Sequence, residues 1–342
     1  MRAFFHRTAQ VRSLDAVWEG VLQARARHGA TACGLYVLRG GRLAGEYYAG
    51  RSRGNPAALP VGPASRFNVY SIRKTYIGFA VAWAVIHGFI EVDDRLADYV
   101  DSVPAHLLAG TAIRHVLTHT HGLDGAPGRM FRRFAPGESW HYTNTGVSLL
   151  CEAVLAATGE TVGALVRRLI LEPLLFGESG WEGSASRMLV SDSGIRKREL
   201  PFVLDDDAGA GRNLYVSARE LARWGGLHLA GGRAGRRDGV EQAAFALATA
   251  DQTPDTLPKR LPRHGFFWWL QTGGGERSEI GARVPKGAFQ IVGMSGCVCL
   301  VVPALDLVAV RMYNGVEANR LTFVRDVKNF GNTIVEWAIH TK

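Results

Sequence analysis

The chain has 342 residues, 47% of them hydrophobic and 21% charged, an ordinary globular balance that excludes a disordered or fibrous protein. Its length fits one large domain or two. The net charge of +9 comes from scattered arginines and one local group, Arg233, Arg236 and Arg237, in a Gly-rich turn; with no interleaved aromatics and no recognition motif, that group reads as a solvated loop, not a nucleic-acid footprint.

The four cysteines, Cys33, Cys151, Cys297 and Cys299, show no Cys-x-x-Cys spacing. Met1 to Thr8 carries early charges and lacks the apolar core of a secretory signal. The longest apolar run, Ile77 to Ile86, is too short to span a bilayer. These features lead to the expectation of a reduced, cytoplasmic protein with no membrane and no nucleic-acid partner.

In chain order, Leu14, Val17, Trp18, Val21 and Leu22 recur at helical spacing, predicting an amphipathic helix over 13–28. Thr31 to Leu38 and Leu43 to Tyr48 read as two strands joined by the hairpin turn Arg39-Gly40-Gly41-Arg42. From 90 to 230, helix-like segments dominate: Ile113 to Thr118, Val147 to Ala157, Val162 to Leu171 and Ala218 to Leu229. Strand patterns return at Gly265 to Gln271, Phe289 to Val292, Cys297 to Val302 and Leu307 to Met312, and an amphipathic helix closes the chain over 321–339. Terminal strands and helices around a helical middle give an α+β class with a helical insertion.

Three constellations carry chemistry. In Ser71-Ile72-Arg73-Lys74, a hydroxyl and an amine stand three residues apart where a buried helix begins, so that the Lys74 amine can reach the Ser71 oxygen. A lysine desolvated there loses part of its preference for charge and can act as a base. The plain alternative is an N-capped core helix. In Pro136 to Gly146, Tyr142 and Asn144 stand two apart in a non-helical turn, where a phenol can relay protons and an amide can orient a substrate. In Ile291 to Pro303, the small residues Gly293, Ser295 and Gly296 edge a β-run and permit close backbone approach, offering an N–H for an oxyanion.

Ser-x-x-Lys, then Tyr-x-Asn, then a Gly-rich strand edge resembles the serine β-lactamase and penicillin-binding-protein-like family, most of all its class C branch with its esterases, D-amino-acid peptidases and acyltransferases. Ile113 to Leu123, Ala210 to Ala222 and Val301 to Val310 resemble further segments of that family, and the resemblance covers roughly 15–340. It implies an antiparallel sheet flanked by the N- and C-terminal helices (1–89 and 230–342), an inserted, mostly helical domain (90–229), and an active site in the cleft between them. It also implies Ser71 as nucleophile, Lys74 and Tyr142 as proton-transfer pair, backbone N–H groups of Ser71 and Cys297 as oxyanion hole, and Asn144, Met294, Ser295 and Gly296 as substrate-binding positions. No cofactor and no metal is implied.

The chain departs from the family pattern at Met294, where a basic or aromatic residue is usual. Methionine offers only a soft thioether, which argues against a β-lactam or peptide-carboxylate substrate. The expectation is therefore a serine hydrolase acting on a small-molecule ester or amide, with an acyltransferase using an amine or alcohol acceptor as alternative. A β-lactamase or D,D-peptidase, or an inactive binding domain, ranks lower. His115, His119 and His121 have a spacing that suits zinc, yet the family carries the first two without metal, so a structural reading is preferred; Asp205-Asp206-Asp207 reads as an exposed loop. Arg129, Arg132 and Arg133 precede Tyr142 and would favour an anionic substrate if they lined the cleft; a solvated loop is the simpler reading.

Overall fold

Residues 14–54, 57–126, 128–194, 197–231, 242–273, 277–316 and 319–341 are described by the computed structural model; the Arg233, Arg236 and Arg237 group lies outside them. The helices are α1 (Asp15–Arg27), α2 (Arg73–Ile86), α3 (Ala105–Leu108), α4 (Ile113–Leu117), α5 (Val147–Thr158), α6 (Val162–Val166), α7 (Ala218–Leu229), α8 (Gln242–Thr249) and α9 (Arg320–His340). The strands are β1 (Ala32–Arg39), β2 (Arg42–Gly50), β3 (Arg66–Asn68), β4 (Leu123–Asp124), β5 (Phe131–Arg132), β6 (Ser179–Trp181), β7 (Leu189–Val190), β8 (Leu214–Val216), β9 (Arg263–His264), β10 (Trp269–Leu270), β11 (Phe289–Val292), β12 (Val298–Val302) and β13 (Leu307–Tyr313).

A seven-stranded antiparallel sheet runs β2-β1-β13-β12-β11-β10-β9. Every residue of β12 and β13 is buried, because both faces of the sheet are covered. That is why Val298-Cys299-Leu300-Val301-Val302 reads as a continuous apolar run instead of an alternation. α1 and α9 pack on one face. α7 packs on the other, where Gly225 lies against Val308, Cys299 and Val301. The segment expected to close the helical domain therefore covers the sheet instead.

α9 buries Phe323, Val327, Phe330, Ile334, Val335 and Ala338 on one stripe. At about 1.5–3 kcal/mol for each large side chain, packing holds this helix despite Gly331 and two threonines in its interior. Beneath it, the buried Arg311 of β13 pairs with Asp326 of α9 at 2.8 Å. Asp326 also takes His28 at 3.2 Å and Arg27 at 3.3 Å.

α2 carries no charge after Lys74 and is buried without a break from Arg73 to Ala84, the pattern of a helix enclosed by protein. The Trp224 ring of α7 stacks on Tyr76 at 4.0 Å, and its Nε1 donates to Thr75 Oγ1 at 3.0 Å. The helix that follows Ser71 is thereby fastened to the sheet.

The 90–230 segment also holds strands. β6, β8, β3 and β7 form a second sheet whose elements of two or three residues carry no periodic signal. The expected helix over 162–171 splits into α6 and a π-helical turn, Arg167–Leu171. Of the expected strand Gly265 to Gln271, only Trp269 and Leu270 join the sheet as β10. Phe267 takes φ +65° and sends its N–H to the Leu117 carbonyl at 3.0 Å. Among the described residues no single helix is long and apolar enough to cross a membrane.

Candidate active site

Ser71 stands in a 3₁₀ turn, Tyr70–Ile72, that precedes α2; it is not the cap of that helix. The residue before it, Tyr70, has φ +45°, a left-handed conformation that a bulky side chain adopts only when its surroundings impose it, at roughly 1–3 kcal/mol. Two hydrogen bonds do so. The Tyr70 N–H donates to Asn68 Oδ1 at 2.9 Å, and its phenol donates to Asp192 Oδ2 at 2.6 Å. Asp192 is buried, and burial pushes its carboxyl up to about 7, opposed by the Tyr70 bond.

Lys74 is fully buried and its Nζ has no hydrogen-bond partner. The amine lies 4.0 Å from the centre of the Tyr142 ring. Burial, then the neighbouring Arg73 guanidinium, hold its pKa well below the ordinary lysine value, with only Glu279 opposing. A cation over a ring face gains about 0.5–2 kcal/mol, and desolvation outweighs that here. The expected contact from the Lys74 amine to the Ser71 oxygen is not formed. Burial pushes the Tyr142 phenol up to about 12, opposed by the Ser71 side chain.

Tyr142 is fixed by an aromatic wall. His119 lies at 4.5 Å, and Trp269 stacks at 6.1 Å. Trp140 and His264 complete it, each within 6 Å of Trp269. The chain reaches this wall because the His141 N–H donates to the His119 carbonyl at 3.0 Å. Burial, with Lys74 next, holds His119 well below the ordinary imidazole value, so it adds no charge. His115 Nδ1 accepts from the Ala112 N–H and His121 Nδ1 from the Leu123 N–H, at 2.9 and 3.0 Å. Both rings thus serve the backbone.

The third constellation forms a tight turn between β11 and β12. The Gly293 N–H donates to the Cys297 carbonyl and the Gly296 N–H to the Gly293 carbonyl, with Gly296 at φ +91°. The turn is pressed on the segment that leads into Ser71: a Cβ on Gly293 would come 2.4 Å from the Val69 carbonyl oxygen. Ser295, expected at the substrate, is fully buried and donates to the Asn68 carbonyl at 3.1 Å. Its hydroxyl is a tie, not a free binding group. Cys297 is fully buried, its thiol 3.2 Å from the Tyr313 carbonyl, and Arg311 Nε donates to the Gly296 carbonyl at 3.1 Å. Met294 is 49% exposed at the tip. Asn144 is exposed, and its carbonyl accepts from the Val147 N–H at the start of α5.

Two of the three arginines before Tyr142 are occupied. Arg132 donates to the His121, Ala109 and Leu107 carbonyls and to Thr111 Oγ1. Arg133 pairs with Asp124 at 2.6 Å, and Arg129 is exposed. Asp207 pairs with Arg167 at the surface.

Residues 14–328 match the Beta-lactamase family. The chain belongs to that family. It is 38% identical over 304 residues, 88% of this chain and 89% of the other, to the uncharacterized protein BpOF4_21049 of Alkalihalophilus pseudofirmus (strain ATCC BAA-2126 / JCM 17055 / OF4). Its fold is similar to EstCE1, a hydrolase with promiscuous acyltransferase activity, at TM-score 0.74 and 16% identity over 94% of this chain and 99% of that one. It is similar to a class C beta-lactamase at TM-score 0.77 and 15% identity over 96% and 98%. At such identities these two likenesses concern the fold alone. Beta-lactamase-like topology agrees with the expected α+β class, built on a large antiparallel sheet.

Sequence reasoning passed over Arg73, Tyr70, Asp192, Arg212 and Glu279. Glu279 is buried, pairs with Arg320 at 2.6 Å, and its field reaches Lys74 and Tyr142. Tyr70 precedes the motif and Arg73 lies within it, so both were open to notice; Asp192, Arg212 and Glu279 are distant in sequence, and no local pattern announces them.

Proposed function

We propose that the chain is a serine hydrolase that takes the acyl group of a small-molecule ester or amide onto Ser71. The observation that carries this reading is the shared residue Tyr142: the buried Lys74 amine lies 4.0 Å from the centre of its ring, and the Ser71 side chain acts on its phenol. A nucleophile, an amine biased towards neutrality and a proton relay are the parts an acyl-enzyme needs.

In this reading Ser71 Oγ attacks the carbonyl carbon, and its proton passes to the Lys74–Tyr142 pair. The same pair returns the proton to the leaving oxygen or nitrogen as that bond breaks. Water then attacks the ester, releasing the acid and restoring Ser71. Lys74 is the stronger candidate for base, since its pKa is lowered while the phenol stays protonated up to about 12. The backbone N–H groups of Ser71 and Cys297 are the proposed oxyanion donors, the turn holding Cys297 being pressed on Val69. Met294 brings no cation to the turn, which favours substrates other than β-lactams. The buried, unpaired cysteines suit a reducing compartment, in keeping with a cytoplasmic role.

Intact-mass analysis after a fluorophosphonate tests the reading: one adduct on wild type, none on Ser71→Ala. No adduct on wild type would instead favour an inactive binding domain. A second reading, acyl transfer to an amine or alcohol, draws support from the fold's likeness to EstCE1. It is dropped if added acceptors give no acceptor-dependent product from an ester.

A further inference from the structure

We propose that Arg73, assisted by Arg212, forms a subsite for a carboxylate carried on the acyl group of the substrate. The inference rests on the Ser71 acyl-enzyme reading and names its substrate class: half-esters or half-amides of short dicarboxylic acids.

Arg73 is 4% exposed, yet its guanidinium is almost unpartnered. Nη1 makes one long contact, 3.4 Å, to the Tyr70 carbonyl, and Nε makes none. Among the described residues no carboxylate pairs with it. The groups whose fields reach it are the Cys151 thiol, the Tyr142 phenol and the Arg212 guanidinium. Burial pushes Cys151 and Tyr142 each up to about 12, so neither supplies a negative charge. Lys74 is a second unpaired nitrogen within its reach. The one buried carboxylate acting on Lys74 and Tyr142 is Glu279, and Arg320 already holds it.

A buried charge without a partner is expensive, and proteins retain one where a ligand completes it. A guanidinium offers a planar fork that matches a carboxylate. Arg73 leans on the carbonyl of the residue before the nucleophile, so an anion on it would sit a few bonds from a carbonyl carbon at Ser71. Arg212 is exposed, and its field reaches both Tyr70 and Arg73; it would draw the anion in from solvent. A monoanion balances the single charge of the Arg73 guanidinium. Met294, exposed on the β11–β12 turn, offers no competing cation.

Calorimetry on the hydrolysis-blocked Ser71→Ala protein tests this with monomethyl glutarate and neutral dimethyl glutarate. The half-ester is expected to bind at least about tenfold more tightly. That preference should vanish when Arg73→Gln is added and shrink several-fold with Arg212→Gln. Arg73 is buried, so the folding of Arg73→Gln is checked by circular dichroism, and where it does not fold the surface variant Arg212→Gln carries the test. Equal affinity for the two esters, an undiminished preference in Arg212→Gln, or no binding of the half-ester up to roughly 10 mM overturns the proposal. Hydrolysis of 4-nitrophenyl butyrate by wild type but not by Ser71→Ala is read separately. Turnover without a charge preference overturns the subsite alone, whereas a preference without Ser71-dependent turnover overturns the hydrolase reading alone.

Discussion

The Lys74 amine rests 4.0 Å from the centre of the Tyr142 ring with no hydrogen-bond partner. An amine so placed is biased towards the neutral form. Ester turnover should therefore rise with pH as Lys74 loses its proton, below the pH at which ordinary lysines do so, and stay level until the Tyr142 phenol ionises near 12. Lys74→Ala should lower kcat by roughly 10²–10⁴ and erase the acid limb of the profile. Lys74→Arg, which keeps the charge but cannot give up its proton, should be as poor. A Lys74→Arg enzyme with near wild-type kcat would remove Lys74 as base.

Asp192 supplies a stability prediction whose sign is opposite to that of most carboxylates. Burial holds it at about 7 against an ordinary 3.8, so between those values the folded protein binds more protons than the unfolded chain. Its contribution is complete below pH 4 and is lost as pH rises through about 7. By linkage the loss amounts to roughly 4 kcal/mol. Asp192→Asn keeps an acceptor for the Tyr70 phenol and removes the titration. Melting temperatures at pH 5 and pH 8 should fall between the two in wild type and change little in the variant; parallel falls would count against this assignment.

Gly293→Ala places a methyl group 2.4 Å from the Val69 carbonyl oxygen. The β11–β12 turn must then move off the Ser71 segment, and the oxyanion donor proposed on it would be displaced. A fall of about 10²–10³ in kcat is expected with KM less affected. Steady-state kinetics with one activated ester decides it, and unchanged kcat would detach this turn from catalysis.

Asp326→Ala leaves Arg311 buried without its carboxylate. Breaking a buried pair in this way costs about 3–5 kcal/mol, measurable by urea unfolding. Since Arg311 Nε also holds the Gly296 carbonyl, kcat should drop alongside stability. A surface-like loss under about 1 kcal/mol would show the pair to be unimportant.

Long periodic elements were legible in the chain. α7 occupies the expected Ala218–Leu229, and β11 the expected Phe289–Val292, because burial of one stripe or of both faces imprints itself on residue order. Ser71, Lys74 and Tyr142 could be proposed together since their motifs are local, and the structure brings Lys74 against the Tyr142 ring. The small sheet could not: Phe67 pairs with Val216, and neither two-to-three-residue strand has a period to reveal. The aromatic run at 265–271 misled because its rings answer to packing against α2 and the Tyr142 wall, not to a strand ladder. Ser295 misled for a related reason, a small polar residue at a motif position being equally fit for a tie to Asn68.

The wall around Tyr142 has one consequence of an optical kind. Trp140 and Trp269 are both nearly free of solvent contact and stand 6.4 and 6.1 Å from that ring. Indole emission is sensitive to charge and polarity at such range, so the site carries its own chromophores. The proposed acylation of Ser71 should therefore be visible in real time as a change in intrinsic fluorescence, with no label and with any acyl group, coloured or not.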